Sequence, residues 1–129
     1  MTESRERAAP ADEREVCDVV GRCDRSGEKL SIAGGATLAG MGFPPERVDV
    51  TLLTTRLTGI VANERADLVI AARAGTPVQD VATLLASQGQ FVPFDAPQPQ
   101  YATLGGTLAA GWLGPMASTR SWTNKSLTP

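Results

Sequence analysis

Between residues 12 and 25 the apolar positions follow a helical period, and beyond residue 30 they gather into short runs separated by glycine and proline. Val16, Val19, Val20 and Cys23 fall at i, i+3, i+4 and i+7, which predicts an amphipathic helix from Asp12 to about Arg25, stopped by Gly27. Residues 1–11 carry no such pattern and are expected to form a disordered leader. Leu30 to Ala33 reads as a strand running into the tight turn of Gly34 and Gly35. The β-branched alternation from Val48 to Leu53 predicts a second strand. Asp67 to Ala74 is more continuously apolar, which predicts a third strand buried on both faces.

Thr76, Pro77 and Gln79 have the order of a capping box, with threonine as N-cap and proline at the first helical position. The helix predicted from Pro77 to about Gln88 buries Val78, Val81, Ala82 and Leu85 and ends at Gly89. The prolines between residues 93 and 99 then impose an extended path. Residues 102–115 mix four glycines with small apolar residues, a composition suited to close backbone approach. Residues 116–129 are Ser/Thr-rich and are expected to be an irregular tail. The order of elements is that of an α/β chain with parallel neighbouring strands.

Composition narrows the function. The sequence has 129 residues and no histidine, which removes the Ser-His-Asp and Cys-His nucleophiles, the HExxH zinc site and a histidine general base. Its 12 cations are interleaved with 14 acids for a net charge of -2, which argues against a nucleic-acid partner. No apolar run has the length of a membrane span and the first residues are too charged for a secretory signal, so a soluble cytoplasmic protein is expected. Cys17 and Cys23 match neither redox nor zinc spacing and read as reduced thiols. Residues 81–129 carry only Asp95, Arg120 and Lys125 as charges, which suits a surface made to lie against something else.

Three segments are candidate anion sites. Ala33, Gly34, Gly35, Ala36 and Thr37 follow a strand, where consecutive amides form either a phosphate nest or a plain turn. Thr103, Leu104, Gly105 and Gly106 read as a second nest or as a glycine-rich helix start in close packing. Gly75 and Thr76 mark a structural strand-to-helix turn or a helix N-terminus open to an anion. Asp80 and Asp95 stand alone, which leaves no acid pair, and Trp112 and Trp122 read as packing residues. The two nests by themselves also fit a mononucleotide-binding module of another α/β family.

The order LSIAGGAT, LLTTRLTGIV, DLVIAARAGTPVQDVATLLASQGQFVPFDAP and ATLGGTLAAGWLGP across residues 30–115 resembles the N-terminal part of the FAD-binding subunits of bacterial glycolate oxidases. That family sits within the FAD-linked oxidases related to vanillyl-alcohol oxidase and p-cresol methylhydroxylase. The resemblance implies an α+β fold: the N-terminal lobe of a two-lobed FAD-binding domain, with a small parallel sheet flanked by helices. Residues 12–115 would form this partial domain. By resemblance, the loop at Ala33 to Thr37 and the segment Thr103 to Gly106 wrap the FAD diphosphate through backbone amides, with Gly75 and Thr76 near the same cofactor. In the wider group some members attach flavin covalently to a histidine; this sequence has none, so the resemblance implies FAD held non-covalently unless a cysteine serves.

The reaction implied is oxidation of glycolate or a related 2-hydroxy acid, with electrons leaving through flavoprotein and iron-sulfur partner subunits, in the cytoplasm or peripherally at the inner membrane. No catalytic residue and no metal ligand is assigned. The family loop reads GGGTK where this chain has GGATLAG, so a glycine and a lysine are missing. The match covers about the first third of a family member. A truncated, inactive lobe serving as a folded remnant or subunit-interaction module is the alternative.

Overall fold

The computed structural model describes residues 4–112 and 114. Three strands, β1 (Glu6–Ala8), β2 (Leu30–Ala33) and β3 (Val50–Leu53), form a parallel sheet in the order β1-β3-β2. The register sets Ala8 and Ile32 on either side of Leu52. Val50 and Leu52, on the middle strand, are almost wholly buried, and Cys23 of helix α1 (Glu13–Ser26) is buried as well. The packed side of this sheet is small, and Val20 on α1 stays 40% exposed.

Helix α1 starts and stops where the sequence predicts. The Asp12 carboxylate accepts the Glu15 N–H at 2.9 Å, and the Glu15 carboxylate accepts the Ala11 N–H at 2.7 Å. Asp12 satisfies a donor that the first helical turn leaves without a partner, and Glu15 reaches back to the N–H of the residue before the cap. Gly27 closes the helix in the left-handed region at φ 70° and donates to the Cys23 carbonyl.

The leader is corrected by the structure. Residues 6–8 are a strand, paired through the backbone with β3, and the guanidinium of Arg22 on α1 grips the Glu6 carboxylate with bonds of 2.7 and 3.1 Å. Arg56 donates to the Ala9 carbonyl at 3.0 Å and ties down the following turn. An edge strand of three residues is held by main-chain bonds and needs no apolar alternation, so no pattern announces it.

Asp49 fastens the opposite edge. Its buried carboxylate accepts the Lys29 N–H and the Arg47 Nε, both at 2.9 Å. The Lys29 N–H first, and the Arg47 guanidinium second, hold this carboxyl below its ordinary pKa.

The strand expected to be buried on both faces is also corrected. β5 (Val69–Ala72) pairs antiparallel with β4 (Ile60–Glu64) in a separate two-stranded ribbon, reached from β3 through the 3-10 turn Thr54–Arg56. With one partner strand and no covering layer among the described residues, Val69 remains 54% exposed and Val61 68%. The run is continuously apolar without being enclosed.

Helix α2 (Val78–Ala86) is present, but its predicted cap is not. Pro77 is the N-cap, and the Thr76 hydroxyl is taken by Gly59, accepting its N–H at 3.0 Å and donating to its carbonyl at 3.2 Å. The first helical amides instead find carbonyls of a later loop: Val78 N–H donates to Ala102 and Gln79 N–H to Pro99. Gly89 does adopt the predicted left-handed conformation, at φ 72°. Val78, Phe94 and Ala102 make a second buried cluster, with Val92, Ala96 and Leu104 packed against it. The glycine-rich segment forms a short helix, α3 (Leu104–Ala109), capped by the Thr103 hydroxyl, which accepts the Gly106 N–H. The tail at 116–129 and Trp122 lie outside the described residues.

Candidate functional site

Glycines draw three chain segments together after β2, after β5 and before α3. A Cβ on Gly34 would overlap the Thr103 hydroxyl, and one on Gly35 would overlap the Tyr101 carbonyl. A Cβ on Gly75 would overlap the Thr54 carbonyl, and one on Gly105 would press on Ala74. The missing side chains are therefore a condition of the assembly. Hydrogen bonds lock the same junction: Leu104 N–H donates to Thr76 at 2.8 Å, Gly105 N–H to Ala74 at 2.9 Å and Gly75 N–H to Leu57 at 2.8 Å.

An open cleft of about 510 Å³ lies where these segments meet. Of the residues singled out in the sequence, Gly35, Ala36, Thr37, Gly75 and Thr103 border it. Gly34, Thr76, Leu104, Gly105 and Gly106 do not line it and instead belong to the junction that holds it, and Ala33, the last residue of β2, does not line it either. The structure adds Thr55, Pro77, Gln98, Gln100 and Tyr101 to the lining. The cluster of glutamines and prolines around residue 98 is a sequence signal for an irregular loop, but not for its place at the cleft.

The amides distinguish the three candidate nests. Around the second, Leu104, Gly105 and Gly106 spend their N–H groups on Thr76, Ala74 and the Thr103 hydroxyl. At the third, Gly75 and Thr76 donate to Leu57 and Arg73. The amide contribution expected from these five residues is thus already committed within the fold: Leu104 and Gly105 donate across to the strand-to-helix turn, and the other three donate elsewhere in the chain. The first loop differs. Among the described residues nothing accepts from the amides of Gly35, Ala36, Thr37 and Leu38. Four successive donors beside a cleft suit an anion.

Ala36 adopts φ 56° in the middle of this loop, the left-handed region that favours glycine. The conformation helps turn neighbouring amides toward a common side, and for alanine it costs roughly 1–2 kcal/mol. Replacing Ala36 by glycine is expected to stabilise the chain by about 0.5–1 kcal/mol, after allowance for the greater freedom of the unfolded chain. Urea unfolding measures it, and a destabilised A36G would contradict a left-handed Ala36.

None of the described residues lining the cleft is Asp, Glu, Lys or Arg. Asp80 and Asp95 do not border it. The lining offers amides, threonine hydroxyls, two glutamine amides and one phenol, a donor set that fits the diphosphate of a dinucleotide through neutral hydrogen bonds. Of the two cysteines, Cys17 is exposed and Cys23 buried, and neither borders the cleft.

Comparison with known proteins identifies the family and the fold. The family described as FAD binding domain matches residues 6–128. Glycolate oxidase subunit GlcE of Escherichia coli (strain K12) is 37% identical over 87 residues, covering 67% of this chain and 24% of that protein. Among solved structures, an alkyldihydroxyacetonephosphate synthase superposes with a TM-score of 0.69 at 23% identity, over 84% of this chain and 22% of the other. GilR, an oxidoreductase that catalyses the terminal step of gilvocarcin biosynthesis, superposes with a TM-score of 0.67 at 20% identity, again over 84% of this chain and 22% of the other. The chain therefore spans about a quarter of the length of the curated relative it matches.

Proposed function

The chain belongs to the FAD binding domain family, and from that premise we propose that its cleft holds FAD non-covalently as part of a glycolate oxidase subunit. The observation that carries this reading is the row of uncommitted amides from Gly35 to Leu38 beside the cleft. In this reading those amides and the Thr37 hydroxyl bind the diphosphate, while Gly75 and Thr103 shape the floor. Thr76, Leu104, Gly105 and Gly106 act by fixing the junction rather than by touching the cofactor. Non-covalent retention is supported by the absence of histidine and by the place of both cysteines outside the cleft lining.

FAD, when bound, supplies a two-electron acceptor for oxidation of glycolate or a related 2-hydroxy acid to the 2-oxo acid. The chain's own part is binding and orientation, since no carboxylate is among the described residues that line the cleft. Flavoprotein and iron-sulfur subunits are the proposed partners, in the cytoplasm or peripherally at the inner membrane. Among the described residues no helix is long and apolar enough to cross a membrane.

A second reading, a subunit-interaction lobe without activity, is favoured by the exposed apolar residues Val61, Leu68 and Val69 on the β4-β5 ribbon. Titration of the purified chain with FAD separates the two. Binding in the micromolar range, with the flavin released by acid or heat, supports the first reading. A colourless protein that takes up no FAD at millimolar concentration leaves only the second.

A further inference from the structure

Resting on the FAD reading above, we propose that Tyr101 is a specificity-determining residue of the cleft, its ring being the platform on which an aromatic ring of the dinucleotide stacks. The described lining contains no charged side chain, so what it offers a dinucleotide is hydrogen bonds and apolar contact. Tyr101 is the one aromatic residue among the described residues lining the cleft.

Its main chain is fixed while the residue as a whole is open. The Tyr101 N–H donates to the Gln98 carbonyl at 2.8 Å, its carbonyl lies so close to Gly35 that no Cβ fits between them, and the next residue, Ala102, is 1% exposed. Tyr101 is nevertheless 64% exposed, and its hydroxyl has no partner among the described residues. A ring on an anchored backbone loses little freedom when a ligand covers it. The carbonyl contact with Gly35 also places Tyr101 next to the amides proposed to hold the diphosphate, within reach of a nucleoside attached to it. A planar heterocycle on such a ring gains both buried area and the stacking interaction.

Adenine and isoalloxazine share this chemistry, and the two halves of FAD separate them. The affinities of wild type, Y101L and Y101F for FAD, ADP and FMN are to be measured by calorimetry, alongside thermal unfolding. Y101L is expected to lose about tenfold in FAD affinity with an unchanged melting temperature, and Y101F to stay within about twofold of wild type. A matching loss toward ADP assigns the ring to adenine, and one toward FMN assigns it to the flavin; either supports the proposal. Unchanged FAD affinity in Y101L, an equal loss in Y101F, or a loss confined to FAD with both halves unaffected overturns it. A wild-type chain that binds none of the three overturns the FAD reading itself, a different outcome from wild-type binding that Y101L leaves intact.

Discussion

Gly35→Ala is expected to cost the chain its FAD affinity, by tenfold or more, together with about 1–3 kcal/mol of stability. The added methyl would meet the Tyr101 carbonyl oxygen and carbon, which are main-chain atoms, not the mobile end of a side chain. That segment has little room to yield. Tyr101 and Ala102 both donate to Gln98, while the Ala102 carbonyl caps α2 by accepting the Val78 N–H at 2.9 Å. The loop at residues 34–38 must therefore move instead, and it carries the uncommitted amides with it. Gly40→Ala is the control: nothing lies within 4 Å of the position its Cβ would take, so it should leave both quantities unchanged. Calorimetric titration with FAD and urea unfolding of the two variants test the argument. G35A binding FAD as wild type does would remove the loop from the site.

The contrast between Gly35 and Gly105 shows what can be read in the sequence and what cannot. Both stand in glycine pairs with a threonine within two positions, and composition treats them alike. Their amides differ because Gly105 donates to Ala74, a residue some thirty positions earlier, whereas Gly35 finds no acceptor among the described residues. Donor occupancy is a property of tertiary contacts, and local pattern carries no trace of it. Side-chain periodicity, by contrast, reports burial, so α1 from Asp12 to Gly27 and the buried pair Val50 and Leu52 are legible. β1 is not, because Glu6 to Ala8 join the sheet through main-chain bonds at its edge. Thr76 misleads for a related reason: its hydroxyl has two suitors, the first turn of α2 and the main chain of Gly59, and distance in sequence hides the one that wins. The same blindness covers Tyr101, whose value at the cleft comes from a carbonyl wedged against Gly35.

Leu52→Ala should have the largest effect on folding of any single truncation in the parallel sheet. Leu52 is 2% exposed on the middle strand, with Ala8 and Ile32 beside it in register, and it ranks among the largest fully buried side chains. Removing it loses the transfer energy of three carbons and leaves a cavity, together about 2–5 kcal/mol. Domains of this kind rest on a margin of roughly 5–15 kcal/mol, so the variant sacrifices a large part of it. Relief by collapse is limited, since both neighbouring strands are pinned, β1 by the Arg22 grip on Glu6 and β2 by the Lys29 bond to Asp49. Leu108→Ala, at a site 52% exposed on α3, is expected to change stability by about 0.5 kcal/mol or less. Urea unfolding followed by circular dichroism gives both values, and equal midpoints for L52A and L108A would show that the sheet is not the core. The consequence reaches the cleft, because β2 ends at Ala33 and the amide loop begins at the next residue. FAD present at saturating concentration should therefore raise the L52A midpoint, with the ligand binding only the folded sheet.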